Sequence, residues 1–203
     1  MRKGKRHKTP DEIKAELKFI AREKRMSNYT PYTAVGIMLG YVLLKSEGFK
    51  AKRINKIIQG IDKMNAEWVD YKFELDEMQK LLMDKAGWSI NCEDYTEKDI
   101  MHRKGNYEFW LDKVQIDAQN NINQQATRYL TFAFIVLMKE YGYGKDRLTR
   151  VQDAMNELLE RYQQNRTSIE EWKKELLEDA GIAFEMPRDP LTQTAGSTIT
   201  GVY

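Results

Sequence analysis

The chain has 203 residues, with 33 Lys+Arg against 31 Asp+Glu, a formal net charge of +2. Hydrophobic residues at 41% are too many for a disordered chain, and a mean hydropathy of −0.69 with no apolar run near ~20 residues excludes a membrane-spanning helix. One cysteine, Cys92, excludes a disulfide scaffold and a Cys-rich zinc site, while two histidines, His7 and His102, leave little for a His-based metal site or triad.

The chain opens on a cationic arm. Residues 1–8 hold Arg2, Lys3, Lys5, Arg6 and Lys8 and no acid. No apolar stretch follows them, so a secretory signal is not expected, and the lone cysteine suits a reducing, cytosolic setting. The arm's composition fits sequence-independent contact with phosphates; it fits a solubilising tail as well. It carries no aromatic residue, so it offers no base stacking. From Thr9 to Cys92 there are 14 basic and 12 acidic residues, and from Glu93 onward 14 basic and 19 acidic. The near-neutral total therefore hides a cationic end and an anionic second half.

Thr9, Pro10 and Glu12 occupy N-cap, N1 and N3 of a first helix, whose stripe is Ile13, Leu17 and Ile20. After a break at Ser27–Pro31, an apolar helix is predicted from about Tyr32 to Glu47, ending at Gly48. A third runs from about Ala51 to Tyr71 on the stripe Ile54, Ile57, Ile58, Ile61 and Met64. A fourth covers about Leu75 to Lys85 and ends at Gly87. Residues 88–106 are the least helical interior stretch, and helices resume near Asn106. The last residues, 187–203, are rich in Thr and Gly and carry no period.

The most specific signal is a repeat at an offset of 94 residues. It pairs Gly48 with Gly142 and Ala86-Gly87 with Ala180-Gly181. It also pairs Val42-Leu43 with Val136-Leu137, Arg53 with Arg147, and Leu82 with Leu176. Phe49 meets Tyr143, Lys56 meets Arg150 and Trp68 meets Tyr162. The expected organisation is a basic arm 1–8, a first four-helix repeat 9–92, a linker 93–102, a second repeat 103–186 and a tail 187–203. The expected fold is all-α, a tandem duplication packed about a pseudo-two-fold axis. The apolar helices Ala34–Leu44 and Tyr129–Met138 would sit at its centre, with Gly36 and Gly40 facing the bulk of Leu130 and Phe134. A closed pair of this kind favours a monomer.

The segment Leu137-Met138-Lys139-Glu140-Tyr141-Gly142-Tyr143-Gly144-Lys145-Asp146-Arg147-Leu148 resembles a turn in small uncharacterised phage and prophage proteins of Gram-positive bacteria. There a helix ends in an aromatic-glycine turn, followed by Gly-Lys and an Arg-Leu pair. The first repeat departs from it, since Gly48-Phe49-Lys50-Ala51 lacks the second glycine. The resemblance covers the turn and little else. It implies a phage accessory protein and carries no activity or catalytic residue.

Leu44 to Ile57 reads as a helix-turn-helix, with Lys50, Lys52, Arg53 and Lys56 presented to a nucleic acid. In the second repeat Lys145, Arg147 and Arg150 recur, offset by Asp146 and Asp153. The same residues read as an ordinary αα-hairpin with a glycine cap, because Leu44 and Met138 stand where a tight helix crossing needs a small side chain. Arg53 and Arg147 also suit ion pairs across the pseudo-dyad. Glu93, Asp94, Glu97, Asp99 and His102 form the one acid/His cluster of the sequence, but their spacing fits no metal loop. Cys92 has no neighbour that would activate it. Trp68, Trp88, Trp110 and Trp172 sit on packing stripes or beside helix ends. The sequence has no P-loop, dinucleotide fingerprint or nucleophile elbow. Neither an enzyme nor a metal or cofactor is expected. The expected partner is DNA or RNA, held by Arg2, Lys3, Lys5 and Arg6 with the basic helix starts. The alternative is a host or phage protein, engaged by the anionic second repeat or the tail.

Overall fold

The computed structural model describes residues 31–90 and 106–184, together with Thr9, Asp11, Glu12 and Ala15; at Pro31 and at residues 106–112, 114, 115 and 118 only the backbone is described. Among the described residues there are six helices and no strand. They are α1 (Pro31–Ser46), α2 (Ala51–Val69), α3 (Leu75–Ala86), α4 (Asn106–Tyr141), α5 (Lys145–Gln163) and α6 (Ile169–Ala180). No helix among them is long and apolar enough to cross a membrane.

The chain divides into two compact units. The first is Met1–Thr30 with Cys92–Gln124, and the second is Pro31–Asn91 with Gln125–Tyr203. The cuts after Thr30 and after Gln124 lie 94 residues apart, the offset of the sequence register. In the first unit, Thr9 and Glu12 form the expected capping box. The Thr9 N–H donates to Glu12 at 2.8 Å and the Glu12 N–H to the Thr9 hydroxyl at 3.3 Å. The residues of α4 through Gln124 belong to this unit, and those from Gln125 to the second.

In the second unit the backbone recurs at the same offset. Helices α2 and α5 are both 19 residues long, and α3 and α6 both 12. Gly48 and Gly142 both have φ = 65°, which L side chains rarely adopt, so each turn requires its glycine. The turns close alike, Phe49 N–H to the Leu43 carbonyl and Tyr143 N–H to the Leu137 carbonyl. Even the non-glycine outliers match, Tyr71 at φ = 55° and Asn165 at 54°. Both α3 and α6 begin with a capping box, Glu74 with Glu77 and Ser168 with Glu171.

The core follows from helix patterning. α2 buries Ile54, Ile57, Ile58 and Ile61, and α5 buries Leu148, Val151, Met155 and Leu158. These are the apolar stripes of two amphipathic helices. The apolar stretches of α1 and α4 are enclosed almost all round: Ile37, Leu39 and Leu43 on one, Phe132, Ala133, Phe134, Ile135 and Leu137 on the other. α1 packs more extensively against α6 and against α5 than against its own neighbour α2. On the other side, Trp88 lies 4.4 Å from Phe134 between ring centroids, and Phe73 lies 5.8 Å from Phe132. The halves interlock rather than standing as two closed bundles.

This changes the expected role of the glycines. Gly36 is met by Tyr129, whose hydroxyl would lie 2.8 Å from an added Cβ. Gly40 faces Leu176 and Phe184 at 3.7 Å. Phe134 packs on Trp88. The large residues aligned with the glycines are thus not the ones that fill the space beside them, because each apolar helix meets the other half's terminal helices as well as its counterpart. Gly60 is a further close approach, with no signal in the repeat register; its added Cβ would lie 2.9 Å from Val136.

Candidate nucleic-acid interface

The two turns that precede α2 and α5 meet. The rings of Phe49 and Tyr143, buried at 4% and 3% exposure, are 6.2 Å apart edge to face. They are counterparts in the 94-residue register. Similar ion pairs flank them, made by the counterparts Lys56 and Arg150. Lys56 of α2 pairs with Glu140 at the end of α4, and Arg150 of α5 pairs with Glu47 at the end of α1 at 3.0 Å.

Glu47 anchors one side of this arrangement. Its side chain is only 10% exposed, and it accepts hydrogen bonds from the Tyr143 hydroxyl at 2.7 Å and from Arg150. Burial, reinforced by the Glu47 carboxylate, pushes the Tyr143 phenol well up. The hydrogen bond from Lys56 holds the Glu140 carboxyl below its ordinary value. On the opposite side the Tyr141 hydroxyl donates to the Arg53 carbonyl at 3.3 Å.

The sequence-predicted cations among the described residues fall into three groups. Lys56 and Arg150 are tied into the ion pairs just described. Arg53 lies over the Phe49 ring and Arg147 over the Tyr143 ring, both at 5.4 Å. These stacked geometries replace the carboxylate pairs that the repeat register suggested for the two arginines. Neither guanidinium forms an ion pair among the described residues. Lys50 and Lys52 are exposed at the start of α2. Lys50 contributes to holding the Asp179 carboxyl down, mainly the work of the Lys45 hydrogen bond. The first turn of α2 holds no acid, whereas that of α5 holds Asp146. Arg2, Lys3, Lys5 and Arg6 lie outside the described residues, as do Cys92, the acid/His cluster from Glu93 to His102 and the tail.

The tryptophans divide as packing residues do. Trp88 and Trp172 are buried, and Trp88 donates to Gln152 at 3.0 Å. Trp68 is half-buried under the Arg128 guanidinium at 4.4 Å. The side chain of Trp110 lies outside the described residues.

Arg128 belongs to a second cluster that sequence reasoning missed. Tyr32, Asp62, Asn65, Thr127, Arg128 and Tyr129 bring polar groups into the interior of the second unit. The Tyr32 hydroxyl, Asn65 Oδ1, Thr127 Oγ1 and Arg128 Nε are buried without a hydrogen-bond partner. Desolvation raises the Asp62 carboxyl to about 6. A signal was present in the repeat register. There Asn65 aligns with Leu159 and Arg128 with Ala34, so the polar residues stand where the other half is apolar.

No family model, curated protein or solved structure matches the chain.

Proposed function

We propose that this chain is a non-enzymatic accessory protein that binds nucleic acid through the edge where α2 and α5 begin. The arm residues Arg2, Lys3, Lys5 and Arg6 add sequence-independent phosphate contacts. The phage setting implied by the aromatic-glycine turn suits such a role, and the recurring register at 94 residues is read as a tandem duplication. The observation that carries the binding proposal is the Phe49–Tyr143 contact. It brings two helix starts 94 residues apart to one edge; Lys50, Lys52, Arg53 and Arg147 of those starts are the cations assigned to phosphate, with Arg150 beside them tied to Glu47. A cationic surface of this kind attracts phosphates without reading base sequence.

The test is fluorescence anisotropy with mixed-sequence DNA and RNA. Binding at ~50 mM salt should weaken steeply by ~200 mM. Replacing Lys52 and Arg53 together with Ala should lower the slope of log K against log salt by about 2, roughly one for each phosphate left without its cation. Deleting residues 1–8 should lower it further. No binding at ~50 mM salt, where phosphate contacts are strong, removes the proposal.

A second reading has its own support. Leu159, Tyr162 and Leu177 of α5 and α6 are 40%, 41% and 52% exposed. In sequence they are interspersed with Glu160, Glu170, Glu175 and Glu178 of the more acidic half. That surface suits a protein–protein adaptor or inhibitor of the kind a phage directs at its host. Capture of one defined host protein from lysate, abolished by Tyr162→Ser, would favour it.

A further inference from the structure

We infer that the nucleic acid taken by this edge is a duplex, straddled so that Arg53 and Arg147 contact phosphates of opposite strands. The inference rests on the nucleic-acid reading above and adds the form of the ligand.

Two features carry it. The first is symmetry. Phe49 touches its own counterpart Tyr143, and the counterparts Lys56 and Arg150 each pair with a carboxylate at a helix end of the other half, Glu140 and Glu47, which stand one position out of register. Arg53 and Arg147 sit at equal distances over those rings. A duplex backbone has local two-fold axes perpendicular to its length, because its strands run antiparallel. A protein two-fold therefore matches a duplex and places equivalent side chains on opposite strands. A single strand is directional and has no such axis.

The second is the state of the side chains. Arg53 and Arg147 are held against rings and are not consumed by carboxylates, whereas the flanking Lys56 and Arg150 are neutralised. The charge left for a ligand is thus a matched pair of arginines, with Lys50 and Lys52 added on the α2 side alone. The aromatic rings at the centre are buried, so they offer no platform for stacking splayed bases, which is the usual means of holding single strands. Asp146 stands where the first repeat has Lys52. It makes the Arg147 side of the contact the weaker one.

The full-length chain is titrated with a 20-base-pair DNA duplex, the RNA duplex of the same sequence, and each single strand alone. The duplexes are expected to bind roughly tenfold more tightly than the strands, and the DNA and RNA arms identify which duplex is preferred. Arg53→Ala and Arg147→Ala should each reduce the duplex salt slope by about 1, with the smaller affinity loss for Arg147. Asp146→Asn should tighten duplex binding. Circular dichroism checks that each variant is folded. Single strands binding as well as duplexes, or an Arg147→Ala variant indistinguishable from the parent, overturns the two-strand contact while leaving nucleic-acid binding intact. No binding to any of the probes removes the parent proposal with it.

Discussion

Asp62 is an acid placed partly inside the second unit. It has no cation partner among the described residues, and desolvation alone lifts its carboxyl from 3.8 to about 6. Between pH 4 and 6 the folded chain therefore keeps a proton that the unfolded chain releases. Stability falls as pH rises through that window, and the penalty is complete above pH 6. Asp62→Asn should raise Tm at pH 7 by about 1–3 °C, a modest gain because the group is only partly buried. At pH 4 it should change Tm little. Thermal melts of both chains across this range decide it; an equal shift at both pH values would show that the carboxyl is not the source. The site is a useful measure of what sequence conveys. Lys50, Lys52 and Arg53 were legible because a run of cations after a glycine turn projects outward from a helix start. Asp62 was not, because nothing local distinguishes a buried acid from a solvated one on a helix with several charges. Its surroundings include Tyr32 of α1 and Tyr129 of α4, and Tyr129 is distant in sequence.

At the scale of elements, the helices were readable where each has its own punctuation. The predicted ends at Gly48 and Gly87 are the ends observed, since a left-handed φ after the last turn is a local requirement. The packing partners were not readable. Gly36 and Gly40 are one turn apart on α1 and looked equivalent, but they face different elements. An alanine at Gly36 places its Cβ against the buried Tyr129, whose hydroxyl is 2.8 Å away and whose Cζ is 3.2 Å away. The ring is hemmed in by Tyr32 at 4.5 Å and has little room to give. Gly36→Ala is expected to destabilise by about 1–3 kcal/mol. At Gly40 the nearest atoms are 3.7 Å from the added Cβ, an ordinary contact. Gly40→Ala should be neutral, or stabilising by up to ~1 kcal/mol through helix propensity. Urea unfolding of the two variants separates these outcomes, and equal losses at both positions would contradict the assignment of their neighbours.

For the whole molecule, the repeat register sets what the chain requires to fold. Helix α1 meets α6 and α5 before it meets α2, and Trp88 at the end of the first half packs on Phe134 of the second. Polar contacts cross in the same sense: Lys45 bridges Glu175 and Asp179, and Tyr143 donates to Glu47. The exposed ion pairs among these are worth little individually, so the apolar exchange carries the association. Each half alone would expose an apolar helix that the other half normally encloses, a surface too large for a soluble monomer. A chain cut between residues 93 and 102 is therefore expected to behave as two fragments that are poorly folded or self-associated alone. Mixed in equal amounts, they should regain the helical signal and cooperative melting of the intact protein. Circular dichroism and size-exclusion chromatography of the separate and mixed fragments measure this directly. Cooperative melting of either fragment as a monomer would show that a repeat closes its own core. That outcome would also weaken the two-strand contact, because Arg53 and Arg147 are brought to one edge only by the interlocking of the halves.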